Sequence, residues 1–155
     1  MVIQRWQSLL LFIAAVLMAC FTFLSLGQVQ TEDYTFNFTS LGFYQEGIST
    51  DGISDMVFHT WYFFILSLTT IVILLIDIFL FSNIRLQKRV CLIGILFIVA
   101  SACVGGLIGF NGIEGGQIGW SSVAWCPFIA IISAILAYYR MSADYNLLKS
   151  ADRLR

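Results

Sequence analysis

The apolar run 61–81 constrains the fold most, because it is 21 residues long and carries one ionisable side chain, Asp77. A helix of this length measures about 30 Å, which is the thickness of the hydrocarbon core of a bilayer. Three basic residues follow the run directly: Arg85, Lys88 and Arg89. An apolar helix with a basic cluster at one end is typical of a membrane span whose basic end lies in the cytoplasm.

The composition of the whole chain also indicates a membrane protein. Hydrophobic residues make up 59% and charged residues 11% of the 155 residues. The mean hydropathy is +0.89. A soluble domain carries about a quarter charged residues, so this chain could not cover its surface with charge. We therefore predict one integral membrane domain over 1–155, with spans at about 7–27, 59–82, 90–110 and 122–140, a periplasmic loop at 28–58 and a cytoplasmic tail at 141–155.

A short β-structure is predicted in the polar segment between the first two spans. Tyr34, Phe36 and Phe38 alternate with polar residues, which is the period of a strand. Residues 40–42, Ser-Leu-Gly, can turn the chain, and residues 43–46 can return as a second strand. The predicted fold class is therefore an all-α membrane protein, a four-transmembrane-helix bundle with a small β-hairpin in the external loop between helices 1 and 2.

The distribution of charge predicts the orientation of the four spans. All eight basic residues fall on one side of them: Arg5, Arg85, Lys88, Arg89, Arg140, Lys149, Arg153 and Arg155. The opposite side carries acidic residues and no basic ones. Because Lys and Arg concentrate in cytoplasmic segments, both termini and the middle loop are predicted to lie in the cytoplasm.

Small residues on two spans predict how those helices pack. Ser101, Gly105 and Gly109 fall on one face of the third span, and Ala130 and Ala134 lie on one face of the fourth. Small side chains let helices approach closely in lipid. We expect these residues to join the third and fourth helices as an antiparallel pair, and a homodimer contact through the same face is the alternative.

The second span carries a candidate intramembrane polar site. His59, Ser67, Thr70 and Asp77 fall within an arc of about 80° on a helix. Polar groups facing lipid are unfavourable, so this stripe is expected to face the bundle or a partner. Two interpretations of Asp77 stay open: it binds a proton or cation, or it is structurally paired with one of Gln4, Arg5, Gln7, Arg85 and Arg89.

The remaining candidate chemistry is weak. Asp51, Asp55 and His59 recur every four residues, which could place them around a metal, but we favour a solvated acidic helix end, which explains the same residues. No catalytic triad, phosphate-binding loop or nucleotide signature occurs in the sequence. We predict no metal, no cofactor, no enzymatic activity and no nucleic-acid partner. All four cysteines lie in apolar runs and are predicted to be free thiols.

Three short motifs resemble a known family. They are Ile3-Gln4-Arg5-Trp6-Gln7-Ser8, Arg85-Leu86-Gln87 and the C-terminal sequence 147–155, LLKSADRLR. Together they resemble an uncharacterised family of small membrane proteins from Bacteroidota, domain of unknown function 4293. The resemblance implies a Gram-negative inner membrane and four spans, and it gives no information about activity. The layout is also similar to that of claudin-type proteins, although the Trp and paired Cys of the claudin loop are missing.

The position of these motifs suggests a function. They lie at the predicted cytoplasmic ends, so we expect an accessory or scaffolding subunit that binds a protein partner there, and a homo-oligomer is possible. The candidate contacts are Gln4, Arg5, Gln7, Arg85, Gln87, Asp152, Arg153 and Arg155. The alternative is a small ion- or proton-coupled transporter that uses the polar stripe around Asp77.

Overall fold

The protein is mostly helical, with four long apolar helices and a small antiparallel sheet. The computed structural model describes residues 2–31, 35–46, 56–80, 83–111 and 117–152. The helices are α1 (Val2–Phe23), α2 (Trp61–Phe79), α3 (Ile84–Asn111) and α4 (Cys126–Asp152), and a 3-10 turn (Ser122–Trp125) precedes α4. The strands are β1 (Gly27–Gln30), β2 (Thr35–Thr39), β3 (Gly42–Glu46), β4 (Met56–His59) and β5 (Gln117–Trp120).

Each of the four helices is long and apolar enough to cross a membrane. Their bounds differ from the predicted spans mainly at the ends. The first helix ends at Phe23 instead of residue 27, because the chain then enters β1. The third begins at Ile84 instead of residue 90, which places the basic cluster on its first two turns.

The four helices pack in a ring. Both α1 and α3 contact α2 on one side and α4 on the other. This arrangement gives the helices a shared interior, where the side chains of Leu11, Met18, Phe63, Leu74 and Ile98 are fully buried. Ala130 and Ala134 are also fully buried on α4.

The predicted contact between α3 and α4 is present, but the prediction that Ser101, Gly105 and Gly109 form it is wrong. A Cβ atom built on Gly105 would lie 2.8 Å from Cζ of Phe63, a residue of α2. One built on Gly109 would lie 2.5 Å from Cη2 of Trp120 in β5. The two glycines therefore make room for large aromatic rings, and Ser101 on the same face bonds Thr70 of α2.

The alanine stripe of α4 lies between α1 and α3. Ser133 donates a hydrogen bond to the main-chain oxygen of Leu10 in α1 at 2.8 Å. On the other side, the thiol of Cys91 in α3 lies 3.7 Å from the main-chain oxygen of Ala134. Small side chains at Ala130 and Ala134 thus let α4 approach two helices at once.

In the described part of the chain the sheet has five strands in the order β4-β3-β2-β1-β5. The predicted hairpin is present as β2–β3, with Phe38 opposite Phe43. Gly42 closes its turn at φ 151°, a conformation that glycine adopts readily. The prediction of two strands is corrected, because β1, β4 and β5 extend the hairpin. A lone hairpin is marginal in water, and the added strands supply the pairing it lacks.

One strand joins the two loops on this side of the molecule. β5 follows α3 in the chain yet pairs with β1, which follows α1. Gly27 permits this pairing, because a Cβ atom there would lie 2.8 Å from the main-chain oxygen of Gly119. Since the atom it would meet is backbone, a larger residue at position 27 must push β5 away.

The sheet packs onto one end of the helices. The ring of Phe38 stacks on Phe43 with centroids 4.7 Å apart and lies 6.4 Å from the ring of Phe63 in α2. Ser40 donates to the main-chain oxygen of Thr22 at 2.5 Å. Thr60, the residue before α2, donates to the main-chain oxygen of Ser40 at 2.9 Å. The sheet therefore closes the end of the helices opposite the basic cluster.

Candidate functional site

The candidate site is centred on Asp77, in the last turn of α2. Its side chain has no exposed surface, although it lies close to the end of the helix. Neither carboxyl oxygen has a hydrogen-bond partner within the described residues. A buried polar group without a partner is unfavourable by about 1–3 kcal/mol, and more when it is charged, so this arrangement requires an explanation.

The other polar residues of the α2 stripe are satisfied. Ser67 donates to the main-chain oxygen of Phe64 at 3.0 Å. Thr70 lies 2.9 Å from the main-chain oxygen of Leu66 and 3.1 Å from the hydroxyl of Ser101. The predicted stripe therefore faces α3 in the interior, and within it only the carboxyl of Asp77 is unsatisfied among the described residues.

Two polar neighbours of the Asp77 carboxyl form hydrogen bonds with main-chain oxygens instead of with the carboxyl. The side-chain amide of Gln87 donates to the main-chain oxygen of Asp77 at 3.3 Å, which leaves the carboxyl unbonded. The thiol of Cys91 lies beside the carboxyl, where it acts electrostatically and as a weak donor that does not reach hydrogen-bond geometry. A thiol is a weak donor, and the hydrogen bond that its geometry supports goes to the main-chain oxygen of Ala134 at 3.7 Å.

Gln7 was a predicted partner of Asp77, and the structure pairs it with a different acid. Its side-chain amide donates to the carboxyl of Asp144, which joins α1 to α4. This follows from the ring arrangement, since α1 and α4 are neighbours. The side chains of Gln7 and Gln87 are both buried inside the chain, so neither is exposed to an external partner. For these two residues the predicted cytoplasmic partner contact is wrong.

The sequence interpretation missed Asp144, although a signal was present. Ala130, Ala134, Ala137 and Met141 are fully buried and recur at intervals of three or four residues. Asp144 continues the same series three residues later, so helical periodicity extended beyond the apolar run points it inward.

The basic candidates do not face Asp77. Arg85 and Arg89 are exposed, and they line a cleft between α3 and α4 on the outside of the molecule. The predicted pairing of Asp77 with either arginine is therefore wrong. The side chains of Gln4, Arg5 and Asp152, together with Arg153 and Arg155, lie outside the part of the chain that the structure describes.

His59 does not belong to the polar stripe. It lies in β4, where it pairs with Gly42, and its side chain is exposed. The predicted position on α2 is wrong, because the chain reaches α2 as a strand and the helix begins only at Trp61. Asp51 and Asp55 lie outside the described residues. Within those residues, no three His, Cys, Asp or Glu side chains are grouped so as to hold a metal.

The four cysteines are free thiols, and Cys91 is fully buried next to the site. The chemistry that the site offers is therefore that of a carboxyl group in a low-dielectric interior, with amide, thiol and hydroxyl groups nearby. Such a carboxyl can bind a proton or a cation, or act as an acceptor for an incoming donor.

The comparison with known proteins places the chain in a family. No curated protein matches it. The family described as domain of unknown function (DUF4293) matches residues 3–154, which is almost the whole sequence. The chain therefore belongs to the DUF4293 family.

Proposed function

We propose that the chain is an integral membrane protein in which all four helices cross the bilayer as a bundle. The outward surface supports this, because large apolar side chains such as Phe79 (75% exposed) and Phe110 (70% exposed) would otherwise face water. Exposed aromatic residues lie near the helix ends, where they are enriched at membrane interfaces: Trp6, Trp61, Tyr62 and Trp125.

The proposed orientation places both termini and the basic cluster in the cytoplasm and the sheet in the periplasm. It rests on the absence of basic residues from the segments 24–60 and 112–125. The proposed compartment is a Gram-negative inner membrane, as the resemblance to Bacteroidota sequences implies. A helix, a loop with β-strands and three further helices also give the layout of claudin-type proteins, which is an analogy of architecture alone.

Within this bundle we propose that Asp77 binds a proton, and that the protein is a small proton-coupled membrane protein. The observation that carries the proposal is the buried carboxyl without a hydrogen-bond partner among the described residues. An isolated carboxylate is strongly unfavourable in an apolar interior, and protonation removes the charge. A metal cation would need several oxygen ligands, whereas a proton needs one.

The surrounding polar groups support a role in proton movement. Asp77 and Ser67 are ten residues apart on α2, which corresponds to about 15 Å along the helix. Thr70 and Ser101 lie between them and contact each other at 3.1 Å. The buried Gln7 and the half-buried Asp144 add a second polar pair between α1 and α4. The interior thus contains a series of polar groups in an otherwise apolar bundle.

A proton-flux measurement in liposomes tests this proposal. We expect the wild-type protein to carry a flux that Asp77→Asn abolishes, because the amide cannot take up and release a proton. Thr69→Val is the matched control, since Thr69 is exposed on the outer face of α2 and should leave the flux unchanged. A wild type without flux, or an Asp77→Asn variant as active as the wild type, would count against the proposal.

An accessory role at the cytoplasmic face is the second candidate. The observation that favours it is the exposure of Arg85 and Leu86 in the first turn of α3, within one of the three motifs on which the resemblance to the family rests. Purification from native membranes tests it. A stoichiometric partner retained by the wild type and lost in Arg85→Glu would support this role, and a second copy of the chain in that position would identify a homo-oligomer.

A further inference from the structure

We propose that the cleft between α3 and α4 at the basic end binds the phosphate-bearing headgroup of an anionic membrane lipid. The cleft has a volume of about 300 Å³ and is lined by Arg85, Lys88, Arg89, Leu92, Tyr138 and Tyr145. The proposal rests on insertion of the four helices in a bilayer. It is independent of proton binding at Asp77, because neither site contributes a residue to the other.

The charge of the cleft is the first argument. Arg85, Lys88 and Arg89 are spaced i, i+3 and i+4, so they share one face of α3. No acidic residue lines the cleft, and none of the three cations forms an ion pair with the described residues. Three positive charges around one concave space, with no acidic partner among the described side chains, are suited to a ligand that carries negative charge. Basic pockets between transmembrane helices on the cytoplasmic side are known to bind anionic headgroups in this way.

The two tyrosines give the cleft a defined shape. The ammonium group of Lys88 lies 5.4 Å from the ring centroid of Tyr138 and 5.2 Å from that of Tyr145. Contacts at this distance position the lysine without neutralising its charge. Tyr138 and Tyr145 are seven residues apart, so they lie on the same face of α4, and each brings a hydroxyl that can donate to a phosphate oxygen.

The polarity of the cleft argues for a lipid rather than a free anion. Leu92, which is 50% exposed, lies four residues after Lys88 and therefore about 6 Å further into the span. The lining thus changes from charged to apolar in the direction that leads from the headgroup region to the acyl chains. A phospholipid has the same order of groups, whereas a soluble phosphate has no apolar group that could contact the apolar part of the lining.

Lipid retention by the full chain is the test. The protein is purified in mild detergent and exposed to phosphatidylglycerol or to phosphatidylcholine, and bound lipid is measured by native mass spectrometry. We expect selective retention of phosphatidylglycerol and about fivefold weaker retention in Lys88→Gln, with a similar loss in Arg89→Gln. Arg140→Gln is the matched control, because Arg140 is an exposed basic residue of α4 that does not line the cleft.

Several outcomes would overturn the proposal. Equal retention of the two lipids would show that charge is not recognised. An equal loss in Arg140→Gln would indicate diffuse attraction to the basic surface instead of a site. Displacement of phosphatidylglycerol by millimolar inorganic phosphate would identify a site for soluble anions. Asp77→Asn should retain lipid as the wild type does, so a failure of the proton proposal and a failure of this one are told apart.

Discussion

At the scale of single residues, the protein is distinguished by one carboxyl group. Asp77 is as deeply buried as the residues of the apolar core, yet neither of its oxygens is bonded within the described chain. The neighbouring amide of Gln87 could have satisfied it and bonds its main chain instead. A structural ion pair would place a cationic donor at the carboxyl, and no described side chain supplies one. This is why we propose that the carboxyl holds a proton.

A pair of substitutions tests whether Asp77 stabilises the fold. Asp77→Leu should leave the stability unchanged or raise it by up to about 2 kcal/mol, because it removes an unsatisfied group and, among the described residues, leaves behind only the weakly interacting thiol of Cys91. Thr70→Val is the comparison, and it should destabilise by about 0.5–1 kcal/mol through loss of the contact with Ser101. Thermal unfolding in detergent measures both, and a marked loss of stability in Asp77→Leu would reveal a structural partner.

The site was only partly predictable from the sequence. The position of Asp77 in an apolar run, and the face it shares with Ser67 and Thr70, follow from helical periodicity alone. Its surroundings do not, because they depend on which helices are neighbours. Gln7 lies at the same end of the molecule as Asp77 and yet bonds Asp144, since α1 packs beside α4. Helix order around a ring is decided by tertiary packing, which no single segment specifies.

At the scale of elements, α3 shows how small residues shape the helical core. Gly94, Ser101 and Gly105 all turn toward α2, where Leu74, Thr70 and Phe63 occupy the space they leave. The face was predictable from spacing, whereas the partner helix was not. Close packing of this kind depends on matching large residues to small ones, and the sequence of one helix does not reveal which neighbour supplies the large residues.

Two adjacent glycines of α3 provide a matched test of this packing. Gly105→Leu should destabilise by about 1–3 kcal/mol, because a Cβ atom there already lies 2.8 Å from the ring of Phe63. Gly106→Leu should have little effect on stability, since a Cβ atom at Gly106 meets no atom within 4 Å and the residue lines an apolar cavity of about 270 Å³. Thermal unfolding of the two variants compares them directly. Equal destabilisation would show that Gly105 does not face Phe63.

The sheet illustrates a different limit of prediction. The hairpin was visible because Phe36 and Phe38 alternate with polar residues, and the structure confirms β2 and β3. The flanking strands β1 and β5 have four residues each, which is too short to show the alternation of apolar and polar residues that marks a strand. β1 pairs with β2 on one side and with β5 on the other, and β5 pairs with β1 although Gln30 and its partner Gln117 are about 90 positions apart. Pairing at that distance leaves no local signal.

At the scale of the whole molecule, the two ends differ in both charge and structure. The basic cluster and the cleft lie at one end, and the five-stranded sheet lies at the other. The pairing of β1 with β5 requires the loop after α1 and the loop after α3 to lie on the same side. This is the same conclusion that the distribution of basic residues supports, reached from an independent observation.

Reporter fusions test the proposed orientation. Fusions after Gly47 and Glu114 should report the periplasm, and fusions after Gln87 and Arg155 should report the cytoplasm, because basic segments stay on the cytoplasmic side. Alkaline phosphatase and green fluorescent protein are suitable reporters, since each is active on one side only. A cytoplasmic signal at Gly47 would reverse the topology, and opposite signals at Gly47 and Glu114 would contradict the pairing of β1 with β5.

The central claim is that the buried carboxyl of Asp77 holds a proton, and infrared difference spectroscopy on the protein in lipid tests it most directly. Subtracting the spectrum of Asp77→Asn from that of the wild type isolates this group from the other carboxyls. We predict that the difference at neutral pH contains the carbonyl stretching band of a protonated carboxylic acid, and that the band shifts in D₂O. A difference spectrum that contains only the bands of an ionised carboxylate would contradict the account.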